Sequence, residues 1–275
     1  MIDYYFDHPL AKIHYYRFGV GDKPMLCFHG YGMHGKQFKV LEEQLGHKYT
    51  FYGFDLFFHK ETVLKHPNLE FIKKGISKKE LSDLFLDFCN NHQITTFSVL
   101  SYSMGSHYAA TLVEEVPERI NEFITAAPST LQPGWLVTFL STKKVGNKLL
   151  ERLALSDKGM LNLLKLIKKV KIVDDKTFHI LHKEIETYEL RFAFYASTTF
   201  LKQLELNSSK FITNLNTHQI KSFFIFGARD KNYPEKIGYK FIPKIKNATQ
   251  LVLDENHEMI NVNFSSQLTK LLNDY

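Results

Sequence analysis

Short apolar runs alternate along this chain with amphipathic stretches of helical period, and the alternation predicts most of its elements. Asp3 to Phe18 holds two extended stretches rich in Tyr, Phe, Ile and His, an antiparallel start that turns at His8-Pro9-Leu10. Pro24 to Phe28 (PMLCF) is a buried strand, followed by a helix over about Lys36 to Leu45 with Phe38, Leu41 and Leu45 on one face. Tyr49 to Leu56 is the next strand. Ser77-Lys78-Lys79-Glu80 is a capping box, opening a helix whose stripe is Leu81, Leu84, Phe85 and Phe88. Thr96 to Leu100 reads as a strand, then Ala109, Leu112, Val113 and Val116 recur at helical spacing until Pro117 stops them. Ile120 to Ala126 is a sixth strand.

Beyond Leu131 the rhythm changes. Up to Thr217 amphipathic segments dominate, over Val145 to Leu155, Met160 to Val170 and Lys176 to Leu206. Strands return at Ile220 to Phe226 and Thr249 to Leu253, and a helix over Ile260 to Leu272 closes the chain. Strands alternating with helices at this spacing predict an α/β fold, a mostly parallel central sheet flanked by helices. The expected division is a core of residues 1–130 and 218–275, with a helical insertion, 131–217, after the sixth strand.

Composition changes this picture little. With 275 residues, 44% apolar and 23% charged, the chain has the make-up of a globular protein with one large core. No apolar run approaches the ~18 residues that span a bilayer, and the N-terminus lacks a basic-then-apolar signal pattern. Cys27 and Cys89 fall in a strand and a helix and read as core residues, which fits a reducing, cytoplasmic compartment. The net charge of +6 resides wholly in 131–217, which carries 14 Lys and Arg against 8 Asp and Glu. Scattered lysines on helical faces account for it, and no nucleic-acid module is recognisable.

Four stretches carry candidate chemistry. Ser101-Tyr102-Ser103-Met104-Gly105 joins the fifth strand to its helix as S-x-S-x-G, a variant of the G-x-S-x-G turn that exposes a serine at a helix N-terminus. Taken alone it is equally a polar strand end before an ordinary helix. His29-Gly30-Tyr31-Gly32 follows a strand directly, and is a loop able to turn amides inward or a glycine-rich turn with a structural histidine. Phe226-Gly227-Ala228-Arg229-Asp230 ends a strand in a loop with a carboxylate. Asp254-Glu255-Asn256-His257-Glu258 places one of 13 histidines between the last strand and the last helix.

Together and in this order, these stretches resemble the α/β-hydrolase fold superfamily, with a helical cap, over nearly all of the chain outside 131–217. The resemblance implies a triad of Ser103 as nucleophile, Asp230 as the orienting acid and His257 as general base, in the chain order Ser, Asp, His of that fold. It implies an oxyanion hole from the backbone N–H groups of Tyr31 (Gly32 being the lesser candidate) and Met104. His29 takes a structural place rather than that of the base. The loop after the preceding strand, Ala127-Pro128-Ser129-Thr130, has no carboxylate, which strengthens Asp230. One departure stands out. Many relatives have D-x-P-G-x-G-x-S after the fourth strand, where this chain has Asp55-Leu56-Phe57-Phe58-His59-Lys60-Glu61-Thr62, so another path is expected for this loop.

The implied activity is that of a serine hydrolase acting on carboxylic ester or thioester bonds of a small, apolar substrate through an acyl-enzyme at Ser103. Carbon–carbon bond hydrolysis, perhydrolysis or acyl transfer by the same triad are alternatives, as is a non-catalytic member binding a ligand or partner. A serine at the turn argues against haloalkane dehalogenases and epoxide hydrolases, which use aspartate there. Candidate substrate contacts are His29, Gly32, Trp135, Phe139, Tyr188, Phe192 and Tyr195. Tyr188, Phe192 and Tyr195 share a helical face that could roof an apolar pocket or pack the insertion to itself. The basic stretch Leu161 to Lys171 suits either an anionic lipid surface or plain solvent, and stable membrane insertion is not expected. Neither metal-ligand spacing nor a phosphate-binding glycine loop is present, and no cofactor is expected.

Overall fold

The computed structural model describes residues 3–171 and 174–273. Among them nine strands form one sheet: β1 (Asp3–Asp7), β2 (Ala11–Phe18), β3 (Lys23–Phe28), β4 (Tyr49–Phe54), β5 (Val63–Leu64), β6 (Phe97–Tyr102), β7 (Ile120–Ala126), β8 (Lys221–Gly227) and β9 (Ala248–Leu253). Their order is β1-β2-β4-β3-β6-β7-β8-β9, with β5 beside β2. β2 runs antiparallel to β1, β4 and β5, and every other pairing is parallel. This is the expected mixed, mostly parallel sheet. β4 and β6 are buried at every position and β3 and β8 nearly so, whereas edge strand β1 is mainly exposed. Burial on both faces is why the inner strands read as unbroken apolar runs.

Eleven helices accompany the sheet among the described residues: α1 (Glu42–Leu45), α2 (Leu69–Lys74), α3 (Lys78–Asn91), α4 (Ser106–Glu115), α5 (Trp135–Thr142), α6 (Lys144–Leu155), α7 (Gly159–Lys169), α8 (Asp175–Lys183), α9 (Tyr188–Phe200), α10 (Ser208–Thr217) and α11 (Val262–Asn273). α3 starts where expected, since both hydrogen bonds of the Ser77–Glu80 capping box form. It buries Phe85 and Phe88 edge-on against Phe54, with ring centroids 5.0 and 4.8 Å apart. A second layer of the core gathers Phe38, Leu41, Leu45, Tyr49 and Phe51 with Phe264 and Leu268 of α11.

The expected helix over 36–45 is a 3-10 turn, Gly35–Leu41, followed by the short α1. The helical insertion follows β7, the seventh strand rather than the sixth, because two-residue β5 also pairs into the sheet. Two compact units divide the chain: Met1–His66, Ser77–Pro133 and Leu204–Tyr275 form one, and Pro67–Ile76 with Gly134–Gln203 the other. The second therefore differs from the expected 131–217. It includes α2, where Lys73 pairs with Glu151 of α6 at 2.8 Å and the Ile76 amide donates to the Phe200 carbonyl at 2.9 Å. It leaves out α10, whose Asn214 side chain donates to the carbonyls ending α4, Val113 and Glu114. Within the helical unit, Asn147 ties α6 to α9 through Thr199 Oγ1 at 2.8 Å, and Tyr195 and Phe200 are fully buried.

Candidate active site

β6 ends at Tyr102, and Ser103 occupies the left-handed region, φ 49°, before the chain enters a 3-10 turn and α4. A side chain there costs roughly 1–2 kcal/mol, so the surrounding fold must enforce the turn. Ser101, at the first position of S-x-S-x-G, is fully buried with its hydroxyl donating to Thr125 Oγ1 at 3.0 Å. Two hydroxyls that sequence reasoning missed, Ser106 Oγ (2.6 Å) and Ser129 Oγ (3.0 Å), both donate to the Ser103 carbonyl. They come from α4 and from the loop after β7, and they clamp the strained residue from behind. Only small polar side chains beside the elbow hint at this.

The structure brings Ser103, His257 and Asp230 into a chain of hydrogen bonds. Ser103 Oγ lies 3.2 Å from His257 Nε2, and His257 Nδ1 lies 2.8 Å from Asp230 Oδ2. A carboxylate only accepts, so Nδ1 carries the ring proton and Nε2 turns its lone pair to the serine hydroxyl. The other Asp230 oxygen accepts the amides of Asn232 (2.8 Å) and Tyr233 (3.0 Å). Tyr102 hydroxyl donates to the His257 carbonyl at 2.6 Å, holding the histidine loop to the strand that bears Ser103.

Burial opposes the Asp230 charge, yet the hydrogen bonds from His257 and the two amides outweigh it and hold the carboxyl below 3.8. A carboxyl lowered by folding adds stability that is fully present above its unfolded pKa and lost as pH falls through the folded one. Asp230→Asn is therefore expected to cost about 1.5–3 kcal/mol at pH 7, the scale of hydrogen bonds to a charge. The deficit should shrink as pH drops below 3.8. Urea unfolding at two pH values checks this, and an equal deficit at both would contradict it.

The loop after β3 lies against the elbow: a Cβ built on Gly30 would stand 3.3 Å from Ser103 Cβ. Tyr31 is the next residue, and Met104 opens the helical turn, where amides lack intrahelical acceptors. Gly32 does not offer its amide to this space, because its N–H donates to His59 Nε2 at 3.1 Å. Nor does His29 present a group to a ligand. It is wholly buried, its Nδ1–H donating to the Gly30 carbonyl and its Nε2 accepting from the Leu56 amide. Burial, with His59 beside it, pushes the His29 pKa well below 6.5 and keeps the ring neutral. Farther along, the Gly35 amide donates to Asp55, whose other oxygen takes His14 Nδ1 at 2.6 Å.

The loop after β4 keeps a glycine-like backbone without glycines. Phe58 (φ 63°) and Lys60 (φ 49°) occupy the left-handed region, which favours glycine. Tertiary bonds override residue preference here: Thr62 Oγ1 donates to the Asp55 carbonyl and accepts the His14 amide. Lys60 is exposed, so Lys60→Gly should relieve the strain with no loss of packing. A gain of up to ~1 kcal/mol is expected after the larger unfolded-state entropy of glycine is offset. Thermal unfolding of K60G measures it, and a loss above ~0.5 kcal/mol would contradict it.

Among the aromatic candidates of the helical unit, Trp135 (79% exposed), Phe139 and Tyr188 are exposed, Phe192 is half-buried and Tyr195 is fully buried. On the face expected to unite Tyr188, Phe192 and Tyr195, the Tyr188 and Phe192 rings stack with centroids 6.2 Å apart, while Tyr195 is buried. A cavity of about 660 Å³ in this unit is bordered by Lys73, Lys144, Lys148, Glu151, Arg152 and Lys202 and holds none of the triad candidates. No group of His, Cys, Asp and Glu suited to a metal ion occurs among the described residues. No helix among them is long and apolar enough to cross a membrane.

Residues 23–164 match the family described as alpha/beta hydrolase fold. Among solved structures, a thermophilic esterase from Thermogutta terrifontis is similar at 15% identity, covering 96% of this chain and 92% of its own, with a TM-score of 0.67. The thioesterase domain from the curacin biosynthetic pathway is also 15% identical, covering 99% of both chains with a TM-score of 0.66. An alpha/beta hydrolase enzyme from a Medee basin deep-sea metagenome library is 14% identical, covering 98% of this chain and 96% of its own, with a TM-score of 0.69. At such identities the likeness is one of fold. No curated protein matches the chain by sequence.

Proposed function

Since the chain belongs to the alpha/beta hydrolase fold family, we propose that it is a serine hydrolase cleaving carboxylic ester or thioester bonds of a small substrate through an acyl-enzyme at Ser103. One observation carries this: the hydrogen-bonded run from Ser103 Oγ through His257 to Asp230, set on a left-handed serine at a strand-to-helix turn. A serine hydroxyl is a poor nucleophile at neutral pH. His257 Nε2 takes its proton as Oγ attacks the carbonyl carbon, and the imidazolium formed is stabilised by Asp230. The backbone amides of Tyr31 and Met104 receive the oxyanion of the tetrahedral intermediate. His257 then gives its proton to the leaving alkoxide or thiolate. Water attacks the acyl group, losing a proton to the same nitrogen, and the acid departs as Ser103 regains its hydrogen.

Ester and thioester chemistry is favoured because the neighbours include an esterase and a thioesterase domain. A binding-only role is disfavoured, since Ser103, Asp230 and His257 are all present and joined. The test is labelling with a fluorophosphonate probe in wild type, Ser103→Ala and His257→Ala. It is followed by paired oxygen esters and thioesters of increasing acyl length. Labelling confined to wild type, with turnover of either series, supports the proposal. An inert wild type that also leaves p-nitrophenyl acetate intact would point to the binding-only role.

A further inference from the structure

Gly30 to Met33 form a tight turn, closed by the Met33 amide donating to the Gly30 carbonyl at 3.2 Å. Gly32, third in the turn, has φ 74°, the type II signature. Types I and II differ by a flip of the central peptide, here Tyr31–Gly32, and glycine at the third position permits both. A tie from outside the turn holds it in the observed one. The N–H of that peptide is the Gly32 amide, and its acceptor is His59 Nε2 at 3.1 Å.

His59 can serve because its own state is fixed. Its Nδ1 lies 2.9 Å from the Phe57 carbonyl, which only accepts, so the proton sits on Nδ1 and Nε2 holds a lone pair. The ring is buried against the rings of His29 and Tyr31, with centroids 5.0 and 5.3 Å away. The left-handed residues on either side, Phe58 and Lys60, turn the loop so that a histidine at this one position reaches the Gly32 amide.

We propose that His59 is a positioning residue for the reaction: by accepting the Gly32 N–H it anchors the Tyr31–Gly32 peptide, and with it the turn from which the preceding peptide presents the Tyr31 N–H to the oxyanion. The proposal rests on the serine-hydrolase function above. Without the acceptor that peptide loses its tie to the His59 loop, the turn loosens, and the Tyr31 N–H of the preceding peptide keeps its aim at the oxyanion only part of the time. Such a loss acts on the charge of the transition state and leaves ground-state binding alone, so kcat falls and KM does not change.

The groups facing His59 are His29, Tyr31, Asp55 and Lys60. Burial, opposed by the Phe57 carbonyl and Asp55 and aided by Lys60, lowers its pKa below 6.5, so the ring stays neutral and the lock closed at neutral pH.

The test compares wild type, His59→Ala and His59→Gln at pH 7.5, on a p-nitrophenyl ester and by hydrogen exchange of the Gly32 amide. Glutamine retains an acceptor at the reach of Nε2 but not the imidazole. The expected result is a kcat lowered at least 10-fold in His59→Ala with KM within 2-fold, and recovery to within about 3-fold of wild type in His59→Gln. One missing oxyanion donor costs 10²–10³, which bounds a partial loss. Gly32 exchange should quicken at least 10-fold in His59→Ala alone, measured where all three proteins are folded by circular dichroism. Unchanged kcat in His59→Ala, equal damage in both variants, or unaltered Gly32 exchange would each overturn the proposal. If wild type turns over no faster than Ser103→Ala, the serine-hydrolase function fails and takes the catalytic role of His59 with it. The exchange measurement separately supports or overturns the peptide lock.

Discussion

Ser103→Ala is expected to lose ~10⁴-fold or more in turnover of any ester the protein accepts, with its fold intact. Stability should hardly change, because among the described residues Oγ hydrogen-bonds His257 alone, at 3.2 Å, and the His257 side chain is 27% exposed, so water can replace it. The left-handed backbone strain is as large for alanine as for serine. The Ser106 and Ser129 hydroxyls clamp the main-chain carbonyl of residue 103, which the substitution keeps. His257→Ala should lose as much, and the double variant no more than either single one, since residues acting as one unit are not additive. Residual catalysis over water then measures what the proposed oxyanion hole and substrate binding supply without the triad. Steady-state kinetics with p-nitrophenyl acetate, beside thermal unfolding of each variant, decides the matter. A Ser103→Ala protein with a tenth of wild-type turnover would remove the serine from the mechanism, and a double variant far worse than both singles would show that the two residues do not act as one unit.

How much of this lay open in the sequence varies with how local the cause is. The inner strands were legible because burial on both faces writes itself as an apolar run, and α3 because its capping box is four consecutive residues. β5 was not, since two residues show no periodicity and its pairing with Ala11 and Lys12 lies some fifty residues away along the chain. The contact-based division of the chain ends the helical unit at Gln203 rather than Thr217 for a related reason. α10 has the same amphipathic stripe whether it covers helices or a sheet, and only Asn214 capping α4 and Phe211 against Phe123 reveal which.

At the site, Ser103, Asp230 and His257 could be put forward together because each closely follows a strand, β6, β8 and β9, in an order typical of the fold the sequence resembles. Gly32 was weighed as an oxyanion donor because nothing nearby in sequence says its amide is already engaged. The acceptor, His59, sits in the very loop whose phenylalanines, Phe57 and Phe58, suggested a different path. Residue preference speaks only of the isolated chain, and there φ near +60° is costly for Phe or Lys. Here the bonds of Thr62, Asp55 and His14 impose it. Departures of this kind mark where tertiary structure enforces a conformation the sequence resists, and such places concentrate around functional loops.

Gly105→Ala should do the greatest damage of any single methyl group near the site. A Cβ there would stand 2.0 Å from the Phe28 carbonyl oxygen and 2.7 Å from that of His29. Both are backbone atoms, and Phe28 is held on two sides by β4 and β6. Neither neighbour can yield as a flexible side chain would, so β3 or the elbow must move. A loss of ~3 kcal/mol is expected, the upper end for overpacking, or a fall in melting temperature of roughly 6–12 °C for a domain of this size. The displacement also falls between the two halves of the proposed oxyanion hole. β3 leads straight into His29-Gly30-Tyr31, while Gly105 belongs to the turn that carries Met104. Separating them by even 1 Å costs catalysis on the order of 10²-fold. Turnover should therefore drop by at least 10-fold at temperatures where G105A is still fully folded. Gly134→Ala is the matched control, since its Cβ meets nothing within 4 Å, and it should shift stability by under ~1 kcal/mol and leave kcat alone. If G105A melts within 2 °C of wild type, β3 and the elbow are not in rigid contact. If it melts early yet turns over normally while folded, that contact supports the fold and not the alignment of the Tyr31 and Met104 amides.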